Sequence, residues 1–207
     1  MTDTPLLDQI TSRARMVLAC ESDAIRAIPA DTLTLALPLV CSLLLSCTGK
    51  VIVSGLGKNG HIAQRVAASL SSTGTPAVFL HPGEAAHGDP GLVCPQDVVL
   101  ALSNSGQTRE VVETIERVRR SFPSVPVVVV TGDSSAPLAQ HADHVLWYGQ
   151  VSEPCPLGLT PSASLAVMSA LLDALALCVM EARGFTRADF KRFHHSGYLS
   201  ERIDRGI

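Results

Sequence analysis

Residues 98–110 read Val98-Val99-Leu100-Ala101-Leu102-Ser103-Asn104-Ser105-Gly106-Gln107-Thr108-Arg109-Glu110. The segment begins as a continuous apolar run, which is typical of a strand buried on both faces of a parallel sheet. It then turns through small polar residues, and from Thr108 onward the apolar residues recur at helical spacing. A strand that turns through hydroxyl side chains into a helix presents free backbone N–H groups and the positive end of a helix dipole, which suit a phosphate group.

A second turn of the same kind follows an upstream strand, in Val51-Ile52-Val53-Ser54-Gly55-Leu56-Gly57-Lys58-Asn59-Gly60. Two such turns predict a small phosphorylated ligand. The G-x-G-x-x-G spacing is also typical of nicotinamide-binding folds, but that fingerprint requires an acidic residue near the end of the next strand. Here the next strand ends Val78-Phe79-Leu80-His81, and the Lys-Ser/Thr pair of a Walker A loop is absent, so we do not favour nucleotide binding.

Apolar runs alternate with helical patterns through the middle of the chain. Strands are predicted at 51–53, 77–80, 97–102, 125–130 and 144–147. This alternation predicts an α/β fold with a doubly wound, mostly parallel five-stranded sheet, flanked by helices and binding its ligand at the carboxyl ends of the strands. A single domain is expected, with N-terminal helices at about 5–47, a βα core at about 50–148, and a C-terminal loop, helix and tail at 149–207. Asp31 is the predicted cap of the second N-terminal helix.

Composition limits the classes of partner. Hydrophobic residues make up 46% of the 207 residues and aromatic residues only 4%, so we expect an aliphatic core. A mean hydropathy of +0.28 suggests either apolar surface buried between subunits or a very well-covered sheet in a monomer. The net charge is −3 and no basic cluster exceeds Arg119-Arg120, which argues against nucleic acid. No signal sequence is evident, and the most apolar stretches, 33–47 and 165–180, are expected to be too short to span a bilayer. We therefore expect a cytoplasmic protein with no membrane partner.

Several polar residues have both a structural and a functional interpretation. Lys58 is either a solvated helix-start lysine or an amine facing the ligand. Capping of the next helix would account for one of Ser103, Ser105 and Thr108 but not for all three, so phosphate contacts are favoured. Glu110 is either a favourable charge near a helix N-terminus or a general base, and the sequence alone does not decide.

The loop after the second strand holds His81, Glu84 and His87. Loop histidines without a tight helical spacing are more often hydrogen-bonded surface or pocket groups than metal ligands, so no required metal is expected. Glu153, between proline-rich turns, and His194 would be solvated loop residues by default.

Taken together, several segments resemble the sugar isomerase (SIS) domain of arabinose 5-phosphate isomerases. The resemblance lies in Ser54-Gly55-Leu56-Gly57-Lys58-Asn59-Gly60-His61, His81-Pro82-Gly83-Glu84-Ala85-Ala86-His87-Gly88-Asp89, Ser103-Asn104-Ser105-Gly106, and Glu153-Pro154-Cys155-Pro156-Leu157-Gly158-Leu159-Thr160-Pro161. It implies an SIS fold and an aldose–ketose isomerase that interconverts D-ribulose 5-phosphate and D-arabinose 5-phosphate, the first step toward the Kdo sugar of lipopolysaccharide. It further implies no cofactor and a homotetramer whose sites are shared between subunits.

The resemblance also assigns site residues. It implies catalytic roles for Lys58, Glu110, Glu153 and His194, and it implies substrate or phosphate contacts for Ser54, Gly55, Gly57, Ser103, Asn104, Ser105, Thr108 and His87, with His87 in a pocket where zinc inhibits. Isomerisation through an enediol needs a carboxylate base, a cation for the developing oxyanion, and a group that opens the ring. Glu110 or Glu153 would be the base, Lys58 the oxyanion partner and His194 the ring-opening or proton-relay group.

The sequence departs from the family in three places. Family members usually continue into a pair of CBS domains, which this sequence does not contain. The family's His-Pro-Gly-Gly tail reads His194-His195-Ser196-Gly197, and its Gly-Asp-Leu-Gly loop reads Gly88-Asp89-Pro90-Gly91. An isomerase of another phosphosugar, such as a hexulose or heptose phosphate, is therefore the alternative enzyme, and a non-catalytic sugar-phosphate-binding regulator is the alternative from another class.

Overall fold

A five-stranded parallel sheet forms the centre of the computed structural model, which describes residues 4–193. Its strands are β1 (Val51–Gly55), β2 (Ala77–Leu80), β3 (Val98–Leu102), β4 (Val127–Thr131) and β5 (His144–Trp147). They lie in the order β2-β1-β3-β4-β5, and all four pairings are parallel. In the register, Val53 of β1 lies between Phe79 and Leu100. The predicted doubly wound α/β sheet is confirmed.

Helices cover both faces of the sheet. They are α1 (Thr4–Arg26), α2 (Leu37–Ser46), α3 (Lys58–Ser72), α4 (Arg109–Ser121), α5 (Ala163–Ala182) and α6 (Arg187–Phe193). Because successive strand residues point to opposite faces, the core divides into two layers. Leu100 packs in the layer that contains residues of α2, α3 and α5, whereas Val99 packs with the apolar residues of α4. The residues of β1, β3 and β4 are buried on both faces, as their uninterrupted apolar runs predict.

The second N-terminal helix begins differently from the prediction. A π-helical turn, Thr32–Ala36, leads into α2, and Asp31 makes no side-chain capping bond. Asp31 has φ −63° and ψ −32°, so it is already helical, whereas a capping residue needs a non-helical backbone that turns its side chain back onto the helix. The assignment of Asp31 as a cap is therefore wrong.

The long helix α5 corrects a second expectation. Its 20 residues are long and apolar enough, by length and composition alone, to cross a membrane, because the helix extends beyond 165–180 at both ends. Half of its apolar window is nevertheless buried inside the protein, with Val167, Leu171 and Leu175 in the core beneath the sheet. The argument from shortness was wrong, and the contacts are those of a core helix.

Helix α1 leaves apolar surface exposed. It packs along α5, yet its first half is open on all sides, with Leu6, Leu7 and Ile10 about half exposed. A helix whose apolar residues are not covered by its own chain is typical of a contact surface for another protein molecule.

Candidate functional site

A cavity of about 490 Å³ lies where the turns after β1 and β3 diverge. In the strand order β2-β1-β3-β4-β5, β1 and β3 flank the point at which the winding of the sheet reverses, and open α/β sheets bind their ligands there. We call this space the switch-point cavity. Its lining consists of Lys58, Asn59, Asn104, Ser105, Val151, Glu153, Gly158, Leu159, Pro161, Ser164 and Leu165. It therefore brings together the predicted site residues Lys58, Asn104, Ser105 and Glu153.

Internal hydrogen bonds hold the turn between β3 and α4. The Ser103 hydroxyl lies 3.0 Å from that of Thr108 and accepts the Gly106 N–H at 3.1 Å. Gly106 has φ +61°, and a Cβ there would lie 2.5 Å from the Ala136 side chain, so only glycine fits. Ser103 is fully buried, whereas Ser105 is exposed and lines the cavity. Thr108, the N-cap residue of α4, makes no side-chain capping bond within the described residues, so N–H groups at this helix start and the exposed Ser105 hydroxyl are available to an anion.

The glycines between β1 and α3 permit a close approach of strand and helix. A Cβ on Gly55 would lie 2.9 Å from the Asn59 carbonyl oxygen, and one on Gly60 would lie 2.9 Å from the carbonyl oxygen of Gly55. Lys58, the first residue of α3, is exposed, and its ammonium group has no ion pair within the described residues. A cation at a helix N-terminus opposes the helix dipole, so helix stability does not explain Lys58.

Ser54 and the two glycines predicted to contact phosphate do not line the cavity. Ser54 is fully buried, and its hydroxyl donates to the Leu80 carbonyl oxygen at 2.9 Å, which ties β1 to β2. Gly55 is buried in the strand, whereas Gly57 lies exposed on the turn. The hydrogen bond of Ser54 is structural, so we leave this residue out of the proposed phosphate site.

The carboxylate of Glu153 caps helix α5, which begins ten residues downstream. One oxygen, Oε2, accepts the N–H groups of Ser162 and Ala163 at 2.7 and 2.9 Å, and Oε1 accepts that of Ser164 at 3.1 Å. Although burial alone would raise the pKa of Glu153, these hydrogen bonds at the positive end of a helix hold it below its ordinary value. The same contacts fix residues 154–161 as a wall of the cavity.

Asn104 is anchored on its inner side. Its Oδ1 accepts the hydroxyl of Tyr148 at 2.7 Å, and its backbone carbonyl accepts the Gly132 N–H at 3.0 Å. The side-chain Nδ2 makes no hydrogen bond to any residue within 4–193, and Asn104 lines both the switch-point cavity and an adjoining cavity of about 270 Å³. Two amide donors are thus free for a ligand.

The remaining predicted residues lie elsewhere. Glu110, in the first turn of α4, and His87, after a short 3-10 turn, are exposed and do not line the switch-point cavity. His194 lies outside the described residues. Within the described part of the chain, no group of three or more His, Cys, Asp or Glu side chains could hold a metal ion.

Sequence reasoning missed three residues at the site. Asn59 and Ser164 line the cavity, and each has a buried side-chain oxygen without a hydrogen-bond partner in the described structure. Tyr148 does not line the cavity, but its hydroxyl donates to Asn104, which does. The available signal for Tyr148 was its position directly after β5, since the carboxyl ends of parallel strands meet at one edge of the sheet.

Comparison with known proteins assigns the family. The SIS domain profile matches residues 44–178, well over half of the chain. This chain belongs to the SIS domain family. The SIS fold thus accounts for the parallel sheet, and the family resemblance read from the sequence motifs is confirmed.

Three similar proteins illustrate the relationship of this SIS domain protein. Arabinose 5-phosphate isomerase KdsD of Escherichia coli K12 is 46% identical over 165 residues, which cover 80% of this chain and 50% of the relative. The chain thus spans about half the length of the curated relatives it matches. A solved structure of E. coli CFT073 c3406 in complex with A5P has a TM-score of 0.83 and 36% identity, covering 94% of this chain and all of that one. A Bacteroides fragilis protein described as a candidate phosphosugar isomerase involved in capsule formation has a TM-score of 0.84 and 38% identity, covering 93% and 99%.

Proposed function

We propose that this protein is an aldose–ketose isomerase that interconverts D-ribulose 5-phosphate and D-arabinose 5-phosphate. The observation that carries the proposal is the convergence of Lys58, Asn104, Ser105 and Glu153 on one cavity at the switch point of an SIS fold. The names of the similar proteins support the choice of sugar, because they include an arabinose 5-phosphate isomerase and a structure with A5P bound.

The donors around the cavity suit an anionic sugar phosphate. Ser105, Thr108 and the free N–H groups at the start of α4 would bind the phosphate. The reaction moves a proton between C1 and C2 through an enediol, and its oxyanion needs a nearby cation or donor. The Lys58 ammonium would supply this stabilisation, with the amide donors of Asn104 beside it.

The hydrogen bonds of Glu153 favour Glu110 as the general base. A carboxylate has about four lone-pair positions, and Glu153 uses three of them on backbone N–H groups. Its lowered pKa makes it a weak proton acceptor, so Glu153 is better suited to hold the start of α5 and the wall of the cavity than to abstract a proton. Glu110 would abstract the proton, and His194 would open the ring or relay the proton.

A homotetramer with shared sites would bring these groups together. Glu110 and His87 do not line the cavity of the single chain, and α1 carries uncovered apolar residues, both of which support completion of the site by a second subunit. His87 would then lie in the substrate pocket, where zinc could bind as an inhibitor. We expect no cofactor for this chemistry. A place in the lipopolysaccharide precursor route and a cytoplasmic location remain predictions.

The test is direct conversion of substrate. Purified protein is incubated with D-ribulose 5-phosphate and EDTA, and D-arabinose 5-phosphate is followed by NMR. We expect D-arabinose 5-phosphate to appear at catalytic rates. A hexulose 6-phosphate and a heptulose 7-phosphate are tested in the same way as alternative substrates. If only one of these alternative substrates were converted, the protein would be an isomerase of that phosphosugar instead. Binding of a phosphosugar by calorimetry without conversion of any would identify a regulator.

A further inference from the structure

We propose that Tyr148 is a positioning residue whose hydroxyl orients the carboxamide of Asn104, so that both amide N–H donors point into the switch-point cavity toward an oxygen of the phosphosugar. The inference rests on the proposed function for the identity of the ligand. It assigns a role in substrate recognition to a side chain that does not itself line the cavity.

The hydrogen-bonding capacities of the two side chains define this orientation. A carboxamide presents an acceptor on one side and two donors on the other, so whichever partner binds the oxygen decides where the donors point. Tyr148 is 1% exposed, its ring packs in the core under β4 and β5, and its hydroxyl reaches Asn104 Oδ1 at 2.7 Å. The donor is therefore held by the core itself, which moves less than a surface loop.

Tyr148 remains a donor under working conditions. Burial and the negative charge of nearby Glu153 raise the pKa of its hydroxyl, so the group keeps its proton. Gly132 packs against the same oxygen of the carboxamide. A Cβ at Gly132 would lie 2.9 Å from Asn104 Oδ1, so glycine leaves the room that Oδ1 needs to face Tyr148.

The direction of the carboxamide decides the sign of its interaction with the ligand. With the donors toward the cavity, Asn104 attracts a phosphate oxygen or the oxyanion of the enediol. With the amide reversed, its carbonyl oxygen would face the same anion and repel it. The Tyr148 hydroxyl thus favours binding of an anion that it does not itself contact.

The experiment is a double-mutant cycle on the full chain with Tyr148→Phe, Asn104→Ala and the double variant. Tyr148→Phe keeps the buried ring and removes only the hydroxyl. We expect it to lower kcat/KM for D-arabinose 5-phosphate roughly tenfold, the usual size of one lost hydrogen bond. In the Asn104→Ala background, Tyr148→Phe should cause no further loss, because its effect passes through Asn104.

Thr75→Val is the matched control. It also removes a buried hydroxyl with one side-chain partner, since Thr75 Oγ1 accepts Arg183 Nε at 3.0 Å just before β2, at the opposite end of the sheet. It should leave kcat/KM unchanged. Losses that add in the double variant, or a Tyr148→Phe enzyme within twofold of wild type, would overturn the inference.

A readout without ligand separates this inference from the proposed function. If the wild type neither converts nor binds a pentose phosphate, the proposed function fails, whereas the orientation of Asn104 can still be read from its side-chain amide signals in ¹⁵N NMR. We expect these signals to shift in Tyr148→Phe and to stay in place in Thr75→Val. Unchanged Asn104 amide signals in Tyr148→Phe would show that the tyrosine does not orient the carboxamide.

Discussion

Replacing Glu153 by Gln tests whether this residue acts mainly as a helix cap or as the base. The substitution keeps the shape of the side chain, removes its charge, and turns one acceptor oxygen into an NH₂ group. That group would face a backbone N–H at the start of α5, where the wild-type carboxylate accepts three hydrogen bonds. We therefore expect Glu153→Gln to destabilise the protein and to retain much of its turnover.

The structure sets the magnitude. Loss of an N-terminal cap typically costs about 0.5–2 kcal/mol, and loss of a carboxylate near a helix N-terminus costs about 0.3–1 kcal/mol. Gln keeps one acceptor oxygen, so we expect the free energy of unfolding to fall by about 1–2 kcal/mol. In a chain of this size, such a change lowers Tm by roughly 2–8 °C.

The pH dependence of stability is an independent test of the charge of Glu153. The pKa of Glu153 is lower in the folded protein than its ordinary value of 4.5, so its stabilisation is present above that value and is lost as pH falls through the folded pKa. The difference in stability between wild type and Glu153→Gln should therefore be full at pH 7 and begin to shrink below about pH 4.5. A difference that stayed constant over this range would contradict the assigned charge.

The assay combines thermal unfolding at a fixed protein concentration with steady-state kinetics. Fixed concentration matters because subunit association raises Tm by mass action. Glu181→Gln, at the exposed C-terminal end of α5, is the matched control: it should leave kcat unchanged and Tm unchanged or slightly raised, because the carboxylate opposes the dipole there. A general base contributes about 10²–10⁴ in rate, so a fall of kcat by that factor with an unchanged Tm would refute the cap and make Glu153 the base.

Two further predictions address the cation and the assembly. Lys58→Gln should lower kcat by about 10²–10³, measured by steady-state kinetics, because it removes the oxyanion partner. It should leave Tm unchanged or slightly raised, because it also removes a charge that opposes the dipole of α3. A lower Tm in thermal unfolding would contradict the dipole argument. Ile10→Glu places a charge on the uncovered face of α1 and should reduce the mass measured by light scattering from that of the proposed tetramer. The surface variant Glu113→Gln should not change the mass. An unchanged mass in Ile10→Glu would mean that this face lies outside the proposed subunit contact.

The sequence predicts the sheet well because its central strands are buried on both faces. In β3 and β4 every residue is apolar or small, and turn residues follow each of these short runs. The edge strands β2 and β5 are only partly buried, yet their boundaries were also predicted to the residue. The error at Asp31 is of another kind. Capping residues are recognised by type, but whether the backbone is already helical depends on the π-helical turn that follows.

The candidate site was predicted only in part because hydrogen bonds across the fold decide which polar groups are free. Ser54 looks like a phosphate ligand in the sequence, yet its hydroxyl is used to tie β1 to β2. Glu153 looks like a solvated loop residue, yet it caps a helix that begins ten residues later. Tyr148 has no motif at all. None of these partners is encoded by local spacing, so no local pattern predicts them.

The choice between an enzyme and a binding module depends most on Lys58. Many proteins with unrelated functions share a fold, so the SIS architecture alone does not decide. A module that only binds a phosphosugar is served by the neutral donors Asn104 and Ser105 and by the start of α4. To such a module a lysine at the start of α3, which has no ion pair within the described residues, adds only ground-state attraction to the phosphate, and it opposes the helix dipole. An isomerase does gain, because the enediol oxyanion carries charge that the ground-state sugar lacks, and a group that binds this charge raises kcat rather than affinity. If the same Lys58→Gln variant raised KM and left kcat intact, the lysine would serve ground-state binding, and the argument for an enzyme would lose its strongest residue.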